Sequence, residues 1–144
     1  MSDTDLVSLY SRRILALAAD IPHLGRLPAP QATARRRSPL CGSTVTVDLA
    51  VQDGRVQEFA QDVKACALGQ ASAAILGEVV IGRSRAELEQ ARDQLKAMLT
   101  AGGPVPAAPF EGYAVLQAAR DYRNRHASIL LALEATCEAM AQLA

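Results

Sequence analysis

Thr44-Val45-Thr46-Val47-Asp48-Leu49-Ala50-Val51-Gln52-Asp53-Gly54 is the stretch that decides the fold. Val45, Val47, Leu49 and Val51 recur at every second position, with Thr44, Thr46 and Asp48 between them. Strand side chains alternate between two faces, so this pattern predicts a half-buried β-strand with a valine-rich inner side. Asp53-Gly54 then predicts a two-residue hairpin turn, whose central positions both need positive φ. On the return strand, 55–63, Val56 and Phe59 fall out of phase, which predicts a β-bulge.

The flanking segments read differently. Leu6, Tyr10, Ile14 and Leu17 recur at helical spacing and predict an opening helix that ends before Pro22. The segment 22–39 holds Pro22, Pro28, Pro30 and Pro39 and reads as extended, with an edge strand near 32–36. Beyond Lys64, Leu68, Ala71, Ile75 and Val79 form a helical stripe stopped by Gly82. Ser84 and Glu87 form a capping box for the next helix, which turns Leu88, Ala91, Leu95 and Met98 inward. Gly102-Gly103-Pro104 ends that helix, and a short one follows near 113–119. The last helix carries His126, Leu130, Leu133, Cys137 and Met140 on one stripe. The expected fold class is therefore α+β: a small antiparallel sheet of about three strands covered by helices, as one domain over 1–144.

Composition narrows the function classes. Lysine plus arginine and aspartate plus glutamate stand at 15 each, which argues against a broad nucleic-acid footprint. No apolar run approaches the roughly 20 residues of a membrane span. The first 20 residues show no cationic start followed by an apolar block, so a cytoplasmic location is expected. Arg35-Arg36-Arg37 is the one basic run; it reads as a solvated edge, with a docking patch for an acidic partner as the alternative.

Three cysteines, Cys41, Cys66 and Cys137, are an odd and widely spaced set, unlike a disulfide framework. Core packing, reactivity and metal binding all stay open on composition alone. Cys41 lies in a Pro39-Leu40-Cys41-Gly42 loop ahead of the first strand. Cys66 opens a helix, where the helix dipole favours a thiolate. Cys137 lies eleven residues beyond His126 on one helix, about 16 Å along its axis at 1.5 Å per residue, and reads as core. His126 is a further candidate donor, and His23 is given no role.

Three motifs in order carry a resemblance. Pro39-Leu40-Cys41-Gly42-Ser43, Ala65-Cys66-Ala67-Leu68-Gly69-Gln70-Ala71-Ser72 and His126-Ala127-Ser128-Ile129-Leu130 resemble the three ligand segments of NifU/IscU-type scaffolds, and Tyr10-Ser11 and Gly25-Arg26-Leu27 resemble their amino-terminal landmarks. The resemblance implies a NifU N-terminal-like fold and a site at Cys41, Cys66 and His126 that binds zinc or iron, or assembles an iron–sulfur cluster. It also implies a cysteine desulfurase and apo client proteins as partners. Two positions depart from the family pattern: the usual aspartate is Ser43, and the usual third cysteine is Ala127. A stretch ahead of the histidine, chaperone-binding in IscU-like members, is replaced by Asp121-Tyr122-Arg123-Asn124-Arg125. Three donors remain, short of the four that a closed zinc site or a cluster takes.

The expected function is therefore an iron–sulfur cluster scaffold or carrier, its missing donors supplied from outside. The alternative is a degenerate metal-binding or interaction module acting on a cysteine desulfurase. A sulfurtransferase enzyme is the least favoured reading, because Ala127 stands where the family often accepts sulfur.

Overall fold

The computed structural model describes residues 10–39 and 42–143. Leu6 and Cys41 therefore lie outside the described residues. Three antiparallel strands, β1 (Ala32–Arg37), β2 (Thr44–Gln52) and β3 (Arg55–Lys64), form one sheet in the order β1-β2-β3. Asp53 and Gly54 have φ of 54° and 76°, as the predicted turn demands. Ala50 pairs with Glu58 and Val51 with Val56, so Gln57 is the extra residue of a bulge. That insertion is why Val56 and Phe59 are both buried despite their spacing.

Among the described residues, four α-helices and a 3₁₀ helix accompany the sheet: α1 (Arg12–Ala19), α2 (Ala67–Val79), α3 (Arg85–Thr100), the 3₁₀ helix (Glu111–Ala119) and α4 (Arg123–Ala141). α4 is the central one. It packs on β1 and β2 and against both α2 and α3, while α1 packs on α2. Val45, Val47 and Leu49 from the sheet join Leu130, Leu133 and Met140 from α4 in the core. α2 is buried on nearly every side, which its small residues Gly69, Ala71, Ser72, Ala73, Ala74 and Gly77 permit. α3 starts with the predicted box: Ser84 Oγ accepts from Glu87 N, and the Glu87 carboxylate accepts from Ser84 N.

One expectation changes in detail. Ser11 caps α1 by accepting from Ile14 N, so Tyr10 precedes the helix and stays exposed, leaving Ile14 and Leu17 as its buried residues. Asp48, on the face of β2 opposite the valines, is fully buried as well. The chain ahead of β1 folds over that side, and Asp48 accepts from Arg26 Nε (2.6 Å), Arg26 Nη2 (3.1 Å), Leu27 N (3.1 Å) and Thr33 Oγ1 (2.6 Å). Among the described residues no helix is long and apolar enough to cross a membrane.

Candidate functional site

The end of the sheet where β1 passes into β2 meets the start of α2 and the first turns of α4. Ser38 N donates to Ser43 O (2.8 Å) and Gly42 N to Ser38 O (2.9 Å), which closes the described ends of the 38–43 loop. Gly42 has φ of 69°, a left-handed conformation that glycine adopts without steric cost. Cys41 belongs to this loop by sequence.

Cys66 is the N-cap residue of α2, half-buried, with φ −68° and ψ 170°. Its backbone carbonyl starts the helix by accepting from Gln70 N (2.9 Å), but its side chain makes no capping bond. The thiol is turned instead toward α4, where Sγ lies 3.5 Å from Ser128 Oγ. Ser128 Oγ in turn donates to Ser43 Oγ at 2.9 Å. Both serines are almost fully buried, at 1% and 3% exposure. Segments from all three sequence motifs thus meet in one contact chain, Cys66–Ser128–Ser43.

A close helix approach makes this contact possible. A Cβ at Gly69 would sit 2.6 Å from Ser128 Oγ and 2.9 Å from Ala65 Cβ, so no larger residue fits there without a shift. One turn further on, Ser72 Oγ donates to Ile129 O (2.6 Å) and ties the two helices together again.

His126 occupies a different face of α4. At about 100° per residue, positions two apart point away from each other, so the face that presents Ser128 to Cys66 cannot also present His126. The His126 ring is 8% exposed, and its Nε2 lies 2.9 Å from Ala119 O and 3.0 Å from Arg120 O. Carbonyls only accept, so Nε2 carries a proton and Nδ1 is the nitrogen left for a ligand. Ala127, between His126 and Ser128, is half-buried. Among the described residues no three His, Cys, Asp or Glu side chains gather closely enough to hold a metal ion. Of the three predicted donors, the structure sets Cys66 at the contact chain, turns His126 Nε2 to backbone carbonyls, and does not describe Cys41.

Cys137 is core, as its stripe implied: it is 3% exposed, and burial pushes its thiol up to about 11. Ser128 was not singled out by sequence reasoning. The usable signal was Gly69, a glycine inside a helical pattern, which marks a close approach by a neighbour.

The model of the NifU-like N terminal domain matches residues 9–128. The crystal structure of a nitrogen-fixing NifU-like protein (N-terminal) from Brucella abortus is 43% identical, with 96% of each chain covered and a TM-score of 0.94. A proposed iron–sulfur cluster assembly scaffold protein for the SUF system from Fervidobacterium islandicum AW-1 shares 18% identity over 93% of this chain and 98% of its own, with a TM-score of 0.81. A hypothetical protein shares 24% identity over 94% and 98%, with a TM-score of 0.80. The last two similarities speak to the fold alone. No curated protein matches the sequence. The family match spans most of the chain, and on that ground the chain belongs to the NifU-like N terminal domain family.

Proposed function

We propose that this protein is a scaffold or carrier for iron–sulfur cluster assembly, which receives iron or zinc, or a nascent cluster, as cargo at Cys41 and Cys66. The observation that carries this reading is the Cys66–Ser128–Ser43 contact chain. It sets a half-exposed thiol beside the loop to which Cys41 belongs by sequence, in a chain of the NifU-like family. A thiolate is the form of cysteine that binds such metals, and two of them make a core donor set. His126 is the third candidate and would bring Nδ1. Ser43 and Ala127 add no strong donor, so remaining positions on the cargo fall to water, a small thiol or the client protein. A cysteine desulfurase as sulfur source, and apo proteins as recipients, complete the proposed sequence. The chain acts as one domain in a cytoplasmic setting under this proposal.

A second reading draws on the same geometry. His126 Nε2 is held by two carbonyls, and the Ser43 hydroxyl is bonded to Ser128. Such a donor-poor site fits a module that keeps the fold and a desulfurase-facing surface but assembles no cluster. Iron, zinc and acid-labile sulfide analysis of protein purified without oxygen separates the two. The scaffold reading expects metal bound per chain and lost on Cys66→Ala; metal-free protein that also fails to take up zinc supports the module.

A further inference from the structure

We propose that the outer face of the sheet, at the end next to the 38–43 loop, binds a small polyanion carrying two or more carboxylate or phosphate groups. Strand pairing sets Arg37, Thr44 and Lys64 in one row across the three strands, and Arg35, Thr46 and Asp62 in the next row on the same face. The segment ahead of β1 seals the far part of this face, where Arg26 and Leu27 close over Asp48. The near part stays open as a cavity of about 390 Å³ lined by charged residues and threonines, among them Arg26, Arg35, Lys64, Thr44, Thr46 and Asp62. Sites for small molecules run from about 300 to 1,000 Å³, and most are apolar. Three cations and the threonine hydroxyls on this wall favour a charged, hydrogen-bonding occupant.

The cations there are available. The side chains of Arg35 and Lys64 form no ion pair or hydrogen bond with any described residue. Arg26 is fixed by its Nε and Nη2 contacts to Asp48, which orients its guanidinium at the cavity wall. Planar guanidinium groups match carboxylate and phosphate oxygens, and the Thr44 and Thr46 hydroxyls add neutral donors. Asp62 is the one carboxylate in the cavity wall, and it opposes an anion. The occupant would be well placed for the proposed site, since Thr44 adjoins Ser43 and Lys64 precedes Cys66 by two residues. The binding itself does not depend on cluster assembly.

The test is calorimetric titration of the whole chain with citrate and with pyrophosphate at fixed ionic strength, acetate serving as the monovalent control. One citrate or pyrophosphate is expected per chain, with acetate much weaker; the tighter of the two identifies carboxylate or phosphate as the natural chemistry. Arg35→Gln and Lys64→Gln should each weaken binding about five-fold, the usual worth of one partly exposed charge contact. Asp62→Asn should strengthen it, a gain that a purely structural role for this face would not give. Circular dichroism of each variant confirms the fold. No binding by either anion, binding unchanged by these substitutions, or capture of an Asp/Glu-rich peptide alone would each overturn the proposal.

Discussion

Gly69→Ala probes the packing that presents Cys66. The added Cβ would stand 2.6 Å from Ser128 Oγ, 2.9 Å from Ala65 Cβ and 3.2 Å from Ser128 O. Two of these contacts are shorter than side chains tolerate, and neither neighbour is free to leave: Ser128 is tied to Ser43, and Ala65 has no flexible end. Overpacking of this kind costs about 1–3 kcal/mol, while replacing a helical glycine with alanine returns about 1 kcal/mol. The net expectation is a loss of up to about 2 kcal/mol in urea denaturation, with α2 and α4 pushed apart beside Cys66. Ser128→Ala removes the shortest contact, so the two substitutions should couple by about 1 kcal/mol in a double-mutant cycle. A stabilising Gly69→Ala, or strictly additive losses, would mean that the helices do not meet here as described.

Other outcomes follow from the same geometry. The Arg26 hydrogen bond, more than any other influence, holds the Asp48 carboxyl below its ordinary range. The unfolded chain therefore takes up that proton first on acidification, so the contribution is present at neutral pH, begins to fall below a pH of about 4 and is gone once pH drops below the lowered folded value. Asp48→Asn should cost about 2–3 kcal/mol at pH 7, in the range for hydrogen bonds to charged groups, and should flatten the acid side of the stability–pH curve measured by urea denaturation. Cys137→Ala should cost about 1–3 kcal/mol without changing metal uptake, and iodoacetamide at neutral pH should label Cys66 while Cys137 stays protected, as mass spectrometry of digested protein would show. Ser43→Asp puts a carboxylate at a nearly buried position. It should lower the melting temperature of the metal-free protein, and added zinc should raise it by more than in wild type.

Local patterns carried most of the fold. The hairpin was legible because period-two apolarity and Asp53-Gly54 are complete within eleven residues, and the bulge because Val56 and Phe59 cannot share a face without one. The burial of Asp48 is not legible in the strand pattern, since the cover over it comes from residues 26–27, whose wrapping no local pattern encodes. Tyr10 had the right spacing for α1 but lies on the wrong side of its cap, Ser11. At the site, motif order pointed to Cys66 and the neighbourhood of Ser43. It could not show that α4 turns Ser128, and not His126, toward them, because helix rotation is set by packing between Gly69 and Ser128 across 59 residues of sequence.

The central claim, that Cys66 holds assembly cargo, is tested most directly by anaerobic reconstitution with iron, a thiol, and a cysteine desulfurase supplied with cysteine. The readout is iron and acid-labile sulfide per chain, together with thiolate-to-iron charge-transfer absorption. Wild type should gain a labile cluster, Cys66→Ala should gain none, and Ala127→Cys should gain a more abundant and longer-lived one by restoring a thiolate beside Ser128. Equal loading of wild type and Cys66→Ala, or no cluster in either wild type or Ala127→Cys, would contradict it.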